Sequence, residues 1–257
     1  MNRVEPFSKI DQILQSSGGS GCLVDANLLV ASTSLEPHPF YDDAAFLFEK
    51  FSQYEVPLYT TVTVRTEYLD VIRRQIITEK LMEIYADSSR FKLAEAVKKE
   101  LKTHRTWLDV QAAKNELPIL PDQRIKSCKQ AFDPRNHSGK LGWMAFCDTF
   151  LKGQLIIHWE KLQNELGINY LQLRGSESEK YLLRPIEWEA MYAISEQSGV
   201  SSNDAMILNA FATSKFEVLA TADYDVGYAV LAGNFGGKIC LVPDRLYRNR
   251  LKGFRKN

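Results

Sequence analysis

Short apolar runs that lead into carboxylates constrain this chain more than any other feature: Asp25, Glu67, Asp204 and Asp223 all stand just after such runs. In an open parallel sheet these positions fall together at the carboxyl ends of the strands, where α/β proteins hold ligands. The same segments hold too few Lys or Arg residues to neutralise all four acids, so the acids repel one another unless a cation is bound. A metal site is the first expectation.

The order of elements agrees with such a sheet. Cys22-Leu23-Val24 reads as a buried strand, and Tyr41 to Tyr54 carries helical spacing with Asp42 and Asp43 in its first turn, where the helix dipole favours acids. Val56 to Thr61 is a second strand. A helix starting near Val64 follows, with Leu69, Ile72 and Ile76 on one face, which puts Glu67 in its first turn. Strand, helix, strand, helix opens a doubly wound fold.

Residues 78–166 are helical throughout, with charged faces, and predict an insertion or helical subdomain. The alternation resumes with a third strand at Ile168 to Leu173, a helix from Glu187 to Gln197 stopped by Ser198-Gly199, and a helix opened by Ser201-Ser202-Asn203-Asp204. Val218 to Thr221 and Lys238 to Val242 are the fourth and fifth strands. At the start, Val4 to Leu14 is a short amphipathic segment, and the Ser/Gly run 16–21 reads as a flexible connection. The expected organisation is an N-terminal segment and linker (1–20), an α/β domain (21–242) interrupted at about 78–166, and a basic tail (243–257).

No apolar stretch approaches the roughly 20 residues that span a bilayer, and Glu5, Lys9 and Asp11 break the apolar positions of the N-terminus, unlike a signal peptide. The expectation is a cytoplasmic protein that does not enter membranes. Cys22, Cys128, Cys147 and Cys240 lack the paired spacings of a zinc site or a redox dithiol and read as buried thiols. Net charge is zero, but residues 88–140 carry twelve Lys/Arg against six Asp/Glu, and the tail from Leu241 six against one.

Each acid alone has an ordinary reading. Asp25 and Asp223 suit turns after strands, Asp204 a helix first turn behind a Ser201 or Ser202 cap, and Glu67 a helix-dipole partner. Four independent caps have no reason to share one edge of one sheet, so the set carries more weight than its members. Converging carboxylates offer hard oxygen ligands suited to Mg²⁺ or Mn²⁺ and too few softer donors for zinc. Such ions polarise phosphoryl oxygens and acidify bound water, chemistry that suits phosphodiester hydrolysis.

Competing chemistries lack their residues. Gly18-Gly19-Ser20-Gly21 precedes its strand instead of following it, so it cannot cradle a phosphate at a helix start. There is no Gly-x-Ser-x-Gly elbow and no His-Glu-x-x-His, and His38, His104, His137 and His158 lie outside the strand-end segments. Asn27 stands where an aspartyl phosphatase would want its second acid.

Val-Asp25-Ala-Asn27 after the first strand, Thr61 to Glu67 after the second, Ser-Ser-Asn-Asp204-Ala opening a helix, and Ala-Thr221-Ala-Asp223-Tyr-Asp225 after the fourth strand together resemble a PIN domain. The resemblance is closest to the VapC-type toxin ribonucleases and covers about residues 21–77 and 168–242. It implies a three-layer α/β/α fold around a central, mostly parallel sheet of about five strands, here with a large helical insertion. It implies a metal-dependent endoribonuclease in which Asp25, Glu67, Asp204 and Asp223 form the catalytic, metal-binding set for Mg²⁺ or Mn²⁺. Asp225 is a further ligand or a helix cap, and Asn27 and Thr221 orient the carboxylates. RNA is the implied substrate, an antitoxin or other inhibitory protein a partner of the toxin branch, and a homodimer a further association to expect.

The family's toxin members are about half this length, and the helical insertion has no counterpart in them. Arg245, Arg248, Arg250 and Lys252, with Arg255 and Lys256, are candidates for phosphate contacts. Lys98, Lys99, Lys102, Arg105, Lys126 and Lys129 of the insertion read as solvated helix faces, and Trp107, Trp143 and Trp159 as core. A non-catalytic PIN scaffold that binds RNA or a protein, and a structure-specific DNA nuclease, are the alternative functions, since acidic metal sites cut both polymers.

Overall fold

The computed structural model describes residues 3–16, 21–33, 38–88, 90–114, 116–135, 139–171 and 178–254. Residues 17–20 of the Ser/Gly connection, Gln172 and Leu173 of the expected third strand, His137, Arg255 and Lys256 lie outside that set. The protein is an α/β protein of mostly helical content, and it divides into two compact units: Met1–Tyr68 with Leu162–Asn257, and Leu69–Lys161.

The first unit opens with β1 (Arg3–Pro6), a 3-10 turn and α1 (Ile10–Ser16). β2 (Cys22–Val24) leads through Asp25 into α2 (Ala26–Thr33), followed by α3 (Tyr41–Gln53) and β3 (Leu58–Thr60). The 25-residue α4 (Val62–Ala86) begins one residue later and runs on into the second unit. That unit holds α5 (Glu95–Ala113), α6 (Asp122–Ala131) and α7 (Trp143–Phe150), and α8 (Gln154–Leu166) leads out of it. The first unit then continues with β4 (Ile168–Tyr170), α9 (Ser178–Tyr181), α10 (Trp188–Ser198), α11 (Ser202–Thr213), β5 (Val218–Ala220), α12 (Tyr224–Ala232), β6 (Ile239–Val242) and α13 (Asp244–Leu246). A π-helical turn (Tyr247–Leu251) and a 3-10 turn (Lys252–Phe254) end the described chain.

The six strands form one open, all-parallel sheet in the order β1-β6-β5-β2-β3-β4. The chain winds outward from β2 to β3 and β4 on one side, and from β5 to β6 on the other. The direction reverses between β2 and β5, at the middle of the sheet. Every residue of β2, β5 and β6 is buried, as strands covered on both faces must be, and all three read as unbroken apolar runs. The edge strand β1 alternates accessible and buried residues instead, and the edge strand β4 buries Ile168 alone.

The sheet has six strands and is wholly parallel, against the expectation of about five and a mostly parallel arrangement. The extra strand is β1, which pairs with β6 in the register Arg3↔Ile239 to Pro6↔Val242. Its segment read as amphipathic because buried Val4, Phe7, Ile10 and Ile13 recur every third residue, a helical spacing. Pro6, which has no N–H to give a helix, marks where extended backbone ends. A second difference lies at α4, which starts at Val62 and not near Val64, because the buried Thr61 hydroxyl accepts from Val64 N (3.4 Å) and caps the helix directly after β3. Glu67 therefore stands in the second turn.

Gly199, at φ 71°, closes α10 in the left-handed region, where a glycine is at ease, and its N–H reaches Ser195 O at 2.8 Å. The carboxyl end of α11 is closed by a residue far along the chain. Lys238 Nζ donates to Phe211 O (2.6 Å), Ser214 O (2.6 Å) and Phe216 O (2.8 Å), while burial lowers its pKa to about 8. One ammonium thus satisfies three carbonyls around the turn that feeds β5.

The second unit has its own core. Leu81, Ile84, Val97, Leu101, Leu120 and Ile125 are buried together with an aromatic group in which Trp143 stacks on Phe146 at 5.3 Å. Trp143 and Trp159 are buried, and Trp107 is half-buried with the Arg124 guanidinium 4.5 Å from its ring centre. The basic face of this unit is partly neutralised locally, by Lys98 with Glu95 (2.8 Å) and Arg105 with Asp109 (3.1 Å).

Lys238→Met removes the ammonium from three carbonyls of the α11–β5 connection, of which Phe211 O keeps the Ser214 hydroxyl (2.9 Å), and is expected to lower stability by roughly 2 kcal/mol. Urea unfolding of the full chain checks this; an unchanged midpoint would show that the carbonyls are satisfied without the lysine.

Candidate functional site

The winding reverses between β2 and β5, and the carboxyl edge at such a reversal is the place where open α/β sheets receive ligands. Asp25 stands at the end of β2, and Asp223 three residues past β5. Asp25 N donates to Ala220 O (3.0 Å), so the parallel ladder between the two strands runs up to the acid itself.

Asp25 is 3% exposed, and both carboxylate oxygens are engaged. Oδ1 accepts from Ala26 N (2.6 Å) at the start of α2, and Oδ2 accepts from the Thr221 hydroxyl (2.6 Å). Thr221 Oγ1 in turn accepts from Asn27 Nδ2 (3.4 Å) and from Asp223 N (2.9 Å), while Asn27 Oδ1 accepts from Ala222 N (2.9 Å). Asn27 and Thr221 therefore bind the ends of β2 and β5 to each other and hold the Asp25 carboxylate in place.

Asp223 caps α12: its Oδ1 accepts from Asp225 N (2.7 Å). Asp204 lies in the first turn of α11, where Ser201 Oγ accepts from Asp204 N (3.2 Å) and donates to Asp204 Oδ2 (2.6 Å). Asp204 thus stands in a first turn behind a serine cap, as its ordinary reading has it, while Asp223, expected as a turn residue, is itself the cap of α12. Asp225 is exposed in the first turn of α12, and Glu67 is half-buried in α4.

Electrostatics link the acids pairwise. Burial, opposed by the Thr221 hydrogen bond and reinforced by the charges of Glu67 and Asp223, raises the Asp25 pKa to about 7. Relative to its ordinary 3.8, that amounts to about 4 kcal/mol in favour of the protonated form, net of both hydrogen bonds. Asp223 is also pushed up, by burial first and then by the charges of Asp204 and Asp225, against the backbone N–H groups of Asp225 and Val226. The amino ends of α2, α11 and α12 all start at these acids, and their dipoles favour negative charge. The upward shifts mean that repulsion and burial outweigh them.

The donor set is all oxygen, and such donors suit a hard divalent cation. Among the described residues, however, no group of three or more His, Cys, Asp or Glu side chains is gathered so as to hold a metal ion. Asp25, Asp204 and Asp223 each turn at least one oxygen to a local partner, and they neighbour one another along the edge without closing a ligand shell. The fit to Mg²⁺ or Mn²⁺ is one of donor chemistry and charge.

Arg245, Arg248, Arg250 and Lys252 are exposed in the segment that follows β6 and are not part of the acidic group. Arg248 Nε donates to Asp244 O (3.4 Å), and the charge of Arg245 acts on Asp43. Asp244 joins the exits of β1 and β6, accepting from Ser8 N (2.9 Å) and from the Ser8 hydroxyl (2.5 Å). Ser201 is the site residue whose role the sequence reading left at capping. The Ser-x-x-Asp spacing is the available signal, but it does not tell a cap from a partner that aims the carboxylate.

No family model, curated protein or solved structure matches this chain. Among the described residues, no helix is long and apolar enough to cross a membrane.

Because the Asp25 pKa is raised, its contribution to stability is in place below about pH 4 and is lost as the pH rises towards about 7. Asp223→Asn keeps the cap, since Asn caps as well as Asp, and removes one of the charges that act on Asp25. It is expected to raise stability by roughly 1 kcal/mol at pH 8, with the gain vanishing near pH 4. Thermal unfolding of both proteins without divalent ions, at the two pH values, measures the difference. Equal stabilities at pH 8 would mean that the acids do not repel one another appreciably.

Proposed function

We propose that this chain is a PIN-like, Mg²⁺- or Mn²⁺-dependent endoribonuclease, with the acids at the sheet reversal as its catalytic set. The observation that carries the reading is the bonded group at the sheet reversal, where the Thr221 hydroxyl donates to the buried Asp25 and accepts from Asp223 N, and where burial first and neighbouring acids second raise the pKa values of both acids. A fold gains nothing in stability from placing such charges together, whereas a cation bound among them relieves both burial and repulsion. The ordered motifs from Val24-Asp25-Ala26-Asn27 to Thr221-Ala222-Asp223 support the same reading, as does the all-parallel sheet, which is compatible with a three-layer α/β/α arrangement.

Asp25, Glu67, Asp204 and Asp223 would hold the cation, with Asp225 at its rim. When bound, such an ion acidifies a water and stabilises charge on a phosphoryl oxygen. The protein's own part is positional. Asn27 and Thr221 fix the Asp25 carboxylate, Ser201 turns that of Asp204, and Arg245, Arg248, Arg250 and Lys252 offer sequence-independent contacts to an RNA backbone. The toxin role, with an antitoxin or other inhibitory protein as partner, a homodimer and a cytoplasmic location all belong to this proposal.

The deciding experiment incubates wild type and Asp204→Asn with labelled RNA and DNA, in Mn²⁺ or in EDTA. The expected outcome is internal cleavage of RNA by wild type in Mn²⁺ and none in EDTA or by a folded Asp204→Asn protein. Undiminished cleavage by that variant sinks the assignment. RNA binding without cleavage favours the scaffold reading, and preferential cutting of structured DNA the DNA-nuclease reading. Thr221→Val keeps the shape but removes the hydroxyl that holds Asp25, and should slow cleavage by about 10- to 100-fold. A titration with Mn²⁺ should trace part of that loss to weaker metal affinity.

A further inference from the structure

The chain beyond β6 folds back onto α12, and Gly227 is where it lands. A Cβ at that position would stand 3.1 Å from Leu251 Cδ1, so the missing side chain lets the buried Leu251 seat against the helix. Tyr224 and Tyr228, four residues apart on α12, stack with ring centres 5.9 Å apart and planes at 27°. Phe254, in the 3-10 turn after Leu251, meets Tyr228 edge to face, at 5.4 Å and 82°. The ladder of rings starts one residue after Asp223, the cap of α12.

Anchoring of the segment does not explain the ladder. Leu251 is 2% exposed and already holds the segment down, whereas Phe254 is left 49% exposed. The cations beside it are uncommitted as well. Arg248, Arg250 and Lys252 are exposed, and none is ion-paired with a described carboxylate. Arg248 gives one long bond, from Nε to Asp244 O (3.4 Å), and the Asp244 carboxylate is taken up by Ser8. Lys98 and Arg105, by contrast, pair with acids on their own helix. Rings in a row offer faces on which bases stack, and free cations among them hold phosphates. A single nucleic-acid strand presents both, while a duplex hides its base faces.

We propose that the Tyr224–Tyr228–Phe254 ladder, with Arg248, Arg250 and Lys252, is a binding surface for single-stranded RNA, on which bases stack and phosphates are held. It rests on the nuclease reading for the choice of RNA and for the passage of the strand to Asp223. Binding itself needs no metal ion.

Fluorescence anisotropy in EDTA reads binding apart from cleavage, with the full-length protein and three labelled strands of about twelve nucleotides: oligo(rA), an abasic ribose-phosphate strand of equal charge, and oligo(dA). Oligo(rA) should bind about tenfold more tightly than the abasic strand, and at least as tightly as oligo(dA). Phe254→Leu keeps an apolar contact for Tyr228 but removes the ring. It should weaken oligo(rA) about fivefold without affecting the abasic strand, and Phe254→Trp should bind as wild type does. Arg248→Gln with Arg250→Gln should weaken both strands and reduce the slope of log Kd against log salt by about 1.4. Equal affinity for the base-bearing and abasic strands overturns the proposal. So does unchanged binding by Phe254→Leu, a salt slope that the double variant leaves as it was, or tighter binding of oligo(dA). Ring-dependent binding by a protein that cuts nothing in Mn²⁺ upholds this surface and sinks the nuclease reading; cleavage of RNA with no dependence on bases or on Phe254 does the reverse.

Discussion

The hydroxyl of Thr221 is the joint on which the acidic edge depends. It is fully buried, donates to Asp25, and accepts from Asn27 and from the backbone N–H of Asp223. A hydroxyl has one proton to give and two lone pairs, so all of its hydrogen-bonding capacity is used. Because it sits where β5 ends and its donor bond crosses to the end of β2, it ties the two strands together at the point where the sheet reverses its winding. Asp25 can stay buried at that point only while this bond and the one from Ala26 persist.

The second constraint is charge. Helices that follow or precede parallel strands have their amino ends at the carboxyl edge of the sheet, so residues that cap them gather there without further design. Asp223 is a cap and Asp204 a first-turn acid behind the Ser201 cap by local geometry, and both are members of an acidic group by topology. Capping accounts for Ser201 next to Asp204 and for Asp223 next to the N–H of Asp225. It does not account for a buried carboxylate raised to about 7 with two further acids acting on it.

Much of the first unit was legible in the chain. Cys22-Leu23-Val24, Val218 to Ala220 and Ile239 to Val242 are unbroken apolar runs, and buried parallel strands have that appearance. Ser198-Gly199 marked the end of α10, and Ser201 or Ser202 its successor's cap, which the structure gives to Ser201. Asn27 and Thr221 were legible as orienting groups only from the motifs around them. Nothing local could have joined Asn27 to Thr221 and Ala222, or Lys238 to the end of α11, since each pair meets through tertiary structure alone. β1 was missed for the same reason: Val4 shares a three-residue apolar spacing with Phe7, Ile10 and Ile13, and only pairing with β6, more than 230 positions away, makes Arg3–Pro6 a strand.

The residue types and their local neighbours thus specify which acids can act, and that they follow strands and open helices, because propensity, caps and apolar runs are short-range properties. The order of the strands, the burial of Asp25 and the charges that surround it are long-range properties. They were decided when the sheet reversed its winding between β2 and β5, since only that packing brings Asp25 against Thr221.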